Sequence, residues 1–347
     1  MGQAGTIPGI DHGKLTPWLD THIEEAQKPF SFELFKAGGS NLTYRITDSK
    51  DDTWVLRRPP VGQQLKTAHD MAREWKVLTA LESTTVPTPK CFTFCKNPEI
   101  TGAVFYVMED IQGTILRTSS QANELTRAQA TKATASLVAT QATLHTIDID
   151  AVGLHSFGRS GSYVQRQLDR WHRQVQQADF SDLKVLDEVH AALMATIPAE
   201  REEPALIHGD FRFDNTVLGK DHSVIAVLDW ELSTIGNPVA DFAWSLRYWA
   251  DQSDHYHWLA DPPTLAPNFP NREHVIDLYI SLTGYDLNEL PWYEVFSWWK
   301  FACICAGVLT RRKAGIEAGG PSGTLDALVG RVANLASTAH LLAVDSL

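Results

Sequence analysis

The feature that most constrains this chain is a strand, a polar loop and two further strands that follow one another directly. Their bounds are 205–207, 208–215, 216–218 and 224–228. Short β-type runs bounded by turn residues predict buried strands. The loop contains Asp210 and, five residues later, Asn215, and the last strand ends at Asp229. The pattern therefore predicts a β-rich centre that fixes a carboxylate and an amide in a loop and a second carboxylate at a strand end.

Protein kinases use these residue types in this order. Their catalytic loop supplies an Asp that accepts the proton of the substrate hydroxyl, then an Asn that binds Mg²⁺, and a second Asp follows the next hairpin. Metal ions neutralise the charge on the transferred phosphoryl group, while one carboxylate stays off the metal to orient the attacking hydroxyl. We therefore assign Asp210 as the candidate base and Asn215 and Asp229 as candidate Mg²⁺ ligands. Arg212 is suited to contact the moving phosphate.

A simple turn is the alternative interpretation of the His-Gly-Asp triplet at 208–210. The Asp of such a triplet can cap a helix or close an Asx-turn without any chemistry. The compound pattern asks for much more, because three strands, an Asp and Asn in register and a terminal Asp must all coincide. Motif matches gain weight from such context, so we favour the catalytic interpretation.

The pattern resembles the aminoglycoside phosphotransferase and choline kinase group of kinase-like enzymes, in which His-Gly-Asp replaces His-Arg-Asp. The run Gly236–Trp244 strengthens the resemblance, because that group has Gly-x-Pro-x-x-Asp after the metal-binding Asp. The resemblance implies that Asp241 braces the catalytic loop, and it covers the chain from about Phe32 to beyond Trp249. It implies ATP and Mg²⁺ as cofactors and an α+β, two-lobed protein-kinase-like fold. The small lobe would have an antiparallel sheet plus one helix, and the large lobe would be mostly helical.

A Gly-rich turn upstream fits the nucleotide-binding lobe that this resemblance implies. Strand-like runs at 32–36 and 42–47 flank Gly38, Gly39, Ser40 and Asn41. Such a turn can lay backbone N–H groups over phosphates. A Gly-Gly hairpin that binds no ligand is the alternative.

The next strand, 53–58, places Val55 and Arg57 on one face. In kinases the equivalent strand covers adenine with a small apolar residue and reaches the phosphates with a Lys two positions later. The resemblance therefore implies that Val55 covers adenine and that Arg57 takes the role of the Lys. Arg58 is the alternative residue for that role. This is a departure from the family pattern, because Arg is longer than Lys and differs in shape.

A helix predicted over 68–82 places Glu74 on its apolar face, together with Met71, Trp75, Leu78 and Leu81. A buried carboxylate without a partner is costly, so we expect an ion pair with Arg57. A boundary Glu paired with a surface Lys is the alternative. The strand-like run 104–108 then enters a segment that resembles the kinase hinge. The contacts implied there come from the main chain of Met108, Glu109 and Ile111.

Composition sets the class of the chain. With 347 residues, 44% of them hydrophobic, it can bury one large or two moderate cores. We expect an N-terminal helical leader at 1–27, a small nucleotide-binding lobe at 28–113 and a large catalytic and substrate-binding lobe at 114–347.

The net charge is −12, and the sequence has no basic clusters. Both features argue against binding to nucleic acid or to anionic membranes. No apolar run approaches the roughly 20 residues of a membrane span, and the run 301–309 is too short.

The four cysteines lack the Cys-x-x-Cys spacing of zinc sites. They are interpreted as free thiols in a reducing compartment. We therefore expect a cytoplasmic protein.

The acceptor is suggested by a closer resemblance to phosphotransferase domains that occur alone or fused ahead of acyl-CoA dehydrogenase domains. The segments that carry it are 56–62, 68–74 and 105–109. It implies a small-molecule hydroxyl acceptor such as a hydroxyacyl-CoA, and a functional link to an acyl-CoA dehydrogenase. An aminoglycoside acceptor would require acidic groups around the pocket, and a choline-type acceptor would require an aromatic cage. The C-terminal tryptophans could form one, although Trp292, Val295 and Trp299 follow a helical period that is more often core.

A catalytically silent ligand-binding module is the hypothesis from another class, and Arg57 is the feature that favours it. A module without chemistry would have no need to keep Asp210, Asn215 and Asp229. A protein kinase is disfavoured because the sequence lacks Asp-Phe-Gly and Ala-Pro-Glu segments around an activation loop. ATP is the expected donor, and the sequence leaves GTP open.

Overall fold

The computed structural model describes most of the chain. The described residues are 7–35, 41–61, 71–158, 161–178, 180, 183–199, 203–251, 254, 256, 261–316 and 323–347. The chain divides into two compact units. The first unit comprises Met1–Gly113 and Ile225–Ser233, and the second comprises Thr114–Val224 and Thr234–Leu347.

The first unit contains a five-stranded antiparallel sheet in the order β1-β2-β3-β5-β4. The strands are β1 (Ser31–Leu34), β2 (Leu42–Thr47), β3 (Thr53–Arg58), β4 (Cys91–Cys95) and β5 (Phe105–Glu109). Because side chains alternate across a strand, β3 presents Trp54 and Leu56 to one face and Val55 and Arg57 to the other. The face that carries Arg57 is the one that positions candidate site residues.

In the described part of the first unit there are two α-helices, α1 (His12–His22) and α2 (Met71–Leu81). Within the expected helical leader, α1 starts at His12 because Asp11 caps it by accepting hydrogen bonds from the N–H groups of Gly13 and Lys14. Leu15 and Leu19 of α1 are fully buried in one core cluster with residues of β1, β2 and β3.

The inward face of α2 carries Met71, Glu74, Val77, Leu78 and Leu81. The expected burial of Glu74 is thus confirmed. Trp75, which we expected on that face, is only half-buried, because the buried stripe runs through Val77 instead.

The second unit is mostly helical. Its helices are α3 (Ser119–Asn123), α4 (Arg127–His145), α5 (Tyr163–Val175), α6 (Leu183–Ala195), α7 (Pro238–Leu246), α8 (Arg272–Thr283), α9 (Leu290–Lys313) and α10 (Leu325–Ser346). Short strands are β6 (Ala205–Ile207), β7 (Thr216–Leu218), β8 (Val224–Val227) and β9 (Thr234–Gly236). β6 pairs with β9 in antiparallel fashion, and the chain returns to the first unit within β8.

The long helix α9 forms much of the core of the second unit. Trp292 and Trp299 are buried, as their helical spacing predicted, and the indole N–H of Trp299 donates to the carbonyl of Leu186. Cys303 and Cys305 are buried free thiols on the same helix. These tryptophans therefore serve packing.

Helix α10 corrects one expectation from the sequence. Its 22 residues reach a mean hydropathy of 1.3 over an 18-residue window, so by length and composition alone it could cross a bilayer. An uninterrupted apolar run is absent from it because polar residues such as Asp326 and Arg331 are interspersed. In the structure 39% of that window is buried, and the helix packs against α9 and α6.

Candidate active-site residues

The loop that follows β6 is held by a buried carboxylate from α7. The two side-chain oxygens of Asp241 accept the backbone N–H of His208 at 3.2 Å and that of Gly209 at 2.8 Å. His145 of α4 lies 3.0 Å from the same carboxylate through Nε2, and its Nδ1 lies 2.6 Å from the Tyr279 hydroxyl. Gly209 has a φ of 86°, a left-handed conformation that favours glycine. The predicted bracing role of Asp241 is confirmed.

The pKa of Asp241 is lowered from its ordinary value. Burial opposes ionisation of this carboxyl, but the hydrogen bond and charge of His145, the nearby His208 and the Gly209 N–H together outweigh it. The anion is therefore the form that holds the loop.

Asp210 is surrounded by donors from the second unit. Oδ1 accepts a short hydrogen bond from the Tyr248 hydroxyl and one of 3.2 Å from the indole N–H of Trp244. Oδ2 accepts the side-chain N–H of Asn215 at 3.0 Å and lies 3.3 Å from Nε of Arg212. Both carboxylate oxygens are thus oriented before any ligand binds.

These contacts keep Asp210 ionised. Burial works to raise the pKa of Asp210, but the Arg212 charge and the donors on Tyr248 and Trp244 lower it below the ordinary value. Asn215 also donates at 2.8 Å to the backbone carbonyl of Asp210. Because its nitrogen is engaged in this way, the amide oxygen of Asn215 is the atom suited to a hard cation.

Cationic side chains stack on the rings that hold Asp210. The guanidinium of Arg212 lies 4.6 Å from the ring centre of Tyr248, and that of Arg247 lies 3.6 Å from the ring of Trp244. The ammonium of Lys300 lies 4.4 Å from the Trp244 ring. Burial lowers the pKa of Arg247 to about 10, and burial together with the Arg247 charge lowers the pKa of Lys300 to about 8.

In the first unit, Arg57 is the centre of a carboxylate cluster. Its Nε lies 2.8 Å from Oε2 of Glu74, its Nη2 forms a short ion pair with Asp229, and Nη2 lies 3.9 Å from Oε2 of Glu231. The predicted ion pair between Arg57 and Glu74 is present. Burial works to lower the pKa of Arg57, but Glu74 and Asp229 more than compensate and raise it.

Two neutral side chains complete this cluster. The Tyr106 hydroxyl donates to Oε2 of Glu74 at 2.7 Å. Asn41, which is 3% exposed, donates to Oε1 of Glu74 at 2.9 Å and to Oε2 of Glu231 at 3.1 Å. Burial is the main cause that raises the pKa of Glu74, against the opposing effect of Arg57. Both carboxylate oxygens of Glu74 therefore have partners, which explains how a carboxylate that is 1% exposed is accommodated.

Asp229 adopts a left-handed backbone conformation with a φ of 65°. Non-glycine residues adopt it at a cost, and such residues concentrate at functional sites. The adjacent Trp230 is buried and donates its indole N–H to the carbonyl of Val227 at 3.0 Å. The turn is therefore anchored on one side by an apolar ring and on the other by the ion pair to Arg57.

The remaining candidates for nucleotide contacts lie as follows. Val55 and Met108 are cross-strand partners, as are Arg57 and Tyr106, so all four share one face of the sheet. The N–H of Glu109 donates to the Lys90 carbonyl. Ile111 follows β5. Gly38, Gly39 and Ser40 lie outside the described residues. The roles of all these candidates in nucleotide binding stay predictions.

The alternative residue Arg58 lies on the opposite face of β3. It is buried and donates to the backbone carbonyls of Gly9 and Thr101. It therefore anchors the N-terminal segment, whereas Arg57 is the guanidinium that meets the carboxylates.

Sequence reasoning missed Tyr106, Glu231, Tyr248, Arg247 and Lys300 as site residues. Tyr106 could have been found from the alternation of β5, because it lies directly opposite Arg57. Tyr248 lies 38 residues after Asp210, and no spacing rule connects them.

A cavity of about 70 Å³ lies in the second unit, beside the loop that carries Asp210. Its wall contains Arg212 and Tyr248, the side chains that contact Asp210, and apolar groups from α4 and α7. Residues 261–264 of a Pro-rich loop also line it.

Among the described residues, no group of three or more His, Cys, Asp or Glu side chains is gathered as a metal site. Mg²⁺ is commonly held by one or two protein oxygens together with substrate phosphates. Asn215 and Asp229 supply oxygens of the required type.

The model of a phosphotransferase enzyme family matches residues 31–263. The chain belongs to this family. Membership of this family confirms the predicted class, a small-molecule kinase.

The chain is 36% identical over 317 residues to acyl-CoA dehydrogenase family member 11 of Rattus norvegicus. The match covers 87% of this chain and 40% of that protein. The chain thus spans about two fifths of the length of this relative.

Solved structures agree on the fold. A candidate aminoglycoside phosphotransferase from Ralstonia eutropha has a TM-score of 0.83 at 29% identity, covering 96% of this chain and 98% of its own. A choline kinase from Cryptosporidium parvum Iowa II has a TM-score of 0.65 at 13% identity, covering 94% and 95%. The predicted α+β, two-lobed kinase-like fold is confirmed.

Proposed function

We propose that this protein transfers the γ-phosphoryl group of ATP to a hydroxyl of a small molecule, with Asp210 as the base. The observation that carries the proposal is the environment of Asp210. Tyr248, Trp244 and Asn215 hold its two oxygens, and its pKa is lowered, so an ionised and oriented carboxylate is available to accept a proton. Arg212 beside it is suited to contact the transferred phosphoryl group.

The nucleotide is assigned to residues of the first unit. Arg57 would bind phosphate, and Glu74 would hold the guanidinium in place, as the Lys–Glu pair does in kinases. A phosphate that binds Arg57 competes with Asp229 for the same nitrogen. This competition would release the Asp229 carboxylate for another cation.

Mg²⁺ would be held by the carboxylate of Asp229 and the amide oxygen of Asn215. When bound, the ion supplies charge neutralisation for the phosphate oxygens. The residue types fit, because hard oxygen donors are what Mg²⁺ prefers.

We propose a hydroxyl on an apolar chain, such as that of a hydroxyacyl-CoA, as the acceptor. The wall of the cavity beside Asp210 is mainly apolar, with Leu137, Val138, Phe242 and Leu246 among its residues. Two carboxylates among the described residues line that wall: Asp214 is paired with Arg212 at 3.1 Å, and Asp261 accepts the backbone N–H of Ser119 at 3.1 Å. A polycationic acceptor would need several acidic groups, so this wall favours an alkyl chain over an aminoglycoside. Similarity to an acyl-CoA dehydrogenase family member supports the same class and a functional link to such an enzyme.

The test is ADP formation from Mg·ATP in the presence of hydroxybutyryl-CoA, an aminoglycoside or choline, with the wild-type chain and Asp210→Asn. We expect turnover with the hydroxyacyl compound and a loss of about 10²- to 10⁴-fold in the variant. Asp221→Asn is the matched control, because Asp221 is exposed and pairs only with the surface residue Lys132 among described ion pairs. Turnover that survives Asp210→Asn would refute the assignment of the base.

The silent-module alternative gives a different result in the same assay. Such a module would bind ATP without forming ADP with any acceptor, and Asp210→Asn would change nothing. Turnover with an aminoglycoside or choline alone would replace the acceptor class and keep the rest of the proposal.

A further inference from the structure

One phenol, that of Tyr248, both contacts the candidate base and lines the cavity. The Tyr248 hydroxyl donates to Oδ1 of Asp210, and the Tyr248 side chain forms part of the cavity wall. Trp244 donates to the same oxygen. Among the described residues, the wall of this cavity includes Tyr248 and does not include Trp244. Arg212 also lines the cavity and lies 3.3 Å from Oδ2 of Asp210, but of these two side chains only Tyr248 has a hydroxyl that can take up one proton and pass its own to Asp210.

We propose that Tyr248 is a catalytic residue that relays the proton of the acceptor hydroxyl to Asp210. This inference rests on the proposed phosphoryl transfer. As the acceptor oxygen bonds to the γ-phosphorus of ATP and the bond to ADP breaks, the acceptor O–H bond breaks and its proton passes to the phenol oxygen. The original phenol proton passes to Oδ1 of Asp210. Tyr248 ends unchanged, and the protonated Asp210 later releases its proton to solvent.

The surroundings of Tyr248 suit this role. Burial raises the pKa of the phenol, with the Asp210 charge as the next cause, so Tyr248 carries its proton at neutral pH. The guanidinium of Arg212 lies 4.6 Å from the ring centre and that of Arg247 lies 5.5 Å from it. Positive charge at the ring face stabilises the negative charge that develops on the phenol oxygen during the transfer.

The backbone at Tyr248 is fixed, which a relay requires. Its N–H donates to the carbonyl of Ser245 at 3.0 Å, just past the end of α7. Its carbonyl accepts the Thr264 hydroxyl at 2.6 Å. Both main-chain groups of Tyr248 are thus hydrogen-bonded, which fixes the backbone from which its side chain reaches Asp210.

A positioning role is the competing explanation, and Trp244 provides the comparison. Both side chains donate to one oxygen of Asp210. If they only orient the carboxylate, removal of either donor should have a similar effect on kcat. A relay instead makes Tyr248 far more costly to lose than Trp244.

The experiment compares Tyr248→Phe, Trp244→Phe and Asp210→Asn in the full chain, with Mg·ATP and hydroxybutyryl-CoA and separately with water as acceptor. Tyr248→Phe removes one oxygen and keeps the ring beneath Arg212. We expect kcat to fall about 100-fold or more, at unchanged KM for ATP, and Trp244→Phe to stay within about tenfold of wild type. The solvent deuterium proton inventory should change from a curved plot, which indicates two protons in flight, to a straight one. Thermal melts of all variants check folding.

Equal losses of kcat in Tyr248→Phe and Trp244→Phe would overturn the relay, as would a Tyr248→Phe enzyme within about threefold of wild type. If Asp210→Asn is inactive in the same experiment, the proposed function still stands. A wild-type chain that forms no ADP with hydroxybutyryl-CoA, water, an aminoglycoside or choline overturns both proposals. A proton inventory that stays curved in Tyr248→Phe also overturns the relay, because the phenol proton would then not be one of the two.

Discussion

The Arg57 cluster of the first unit and the Asp210 cluster of the second bury charge in opposite ways. Around Arg57, one guanidinium is shared by the carboxylates of Glu74, Asp229 and Glu231. Around Asp210, one carboxylate accepts hydrogen bonds from three neutral side chains, Tyr248, Trp244 and Asn215, and has one cation, Arg212, at 3.3 Å. The first cluster is a set of ion pairs, and the second is mainly a set of hydrogen bonds.

This difference matches the tasks proposed for the two clusters. An ion pair can exchange partners when a phosphate or a metal arrives, since the new charge replaces the old one. A base must keep one orientation throughout turnover, and neutral donors fix it without competing for the substrate phosphate. The two clusters should therefore respond differently when single partners are removed.

The largest effect is expected in the first cluster. Arg57→Met leaves Glu74 buried without its cation, and we expect a loss of about 3–5 kcal/mol in the free energy of unfolding. The double variant Arg57→Met, Glu74→Leu should recover much of this loss, because both charges are then gone. Urea unfolding measures both, and additive losses in the double variant would contradict the ion-pair description.

Asp241 should have the next largest effect, and one that depends on pH. Its folded pKa is lowered below an unfolded value of about 3.9, so its stabilisation is complete above that value and is lost as pH falls through the folded pKa. Asp241→Asn should cost about 2 kcal/mol at neutral pH, because one amide cannot serve all the donors that the carboxylate accepts. Below pH 4 the difference between the proteins should shrink. A difference that is constant from pH 7 to acid would count against this account.

Lys300 should show an effect of the opposite sign. Its folded pKa of about 8 lies below the unfolded value of about 10.4. The charged side chain therefore destabilises the fold below pH 8, and stability should rise between pH 8 and about 10.4 as the native state loses its proton first. Lys300→Met should raise the melting temperature at pH 7 and reduce this rise. An unchanged pH profile in the variant would show that another group causes it.

Contacts that follow from the alternation of a strand or the period of a helix were predictable from the sequence. The pairing of Arg57 with Glu74 follows from a period of two in β3 and a helical period in α2, together with the cost of a buried carboxylate. The bracing by Asp241 and the strands β6 and β7 followed from the compound pattern and its family resemblance.

Contacts between distant parts of the chain were not predictable in this way. Trp244 and Tyr248 reach Asp210 from α7 and the turn after it, through tertiary packing that no local rule specifies. Lys300 reaches Trp244 from α9, and neither its charge nor its helical position marks it as a neighbour of the base. The full surroundings of Asp210 therefore required the structure.

Calorimetric titration with Mg·ATP is the measurement that tests the central claim most directly, because every proposed step begins with the nucleotide. It should be run on the wild-type chain beside Arg57→Ala and Asp229→Ala, with Arg58→Ala as a guanidinium control from the other face of β3 and melting temperatures for each. We predict saturable binding to the wild type, preserved binding in folded Arg58→Ala, and at least tenfold weaker binding in both other variants. An absence of binding to the wild type, or equal affinity in all four proteins, would contradict the account.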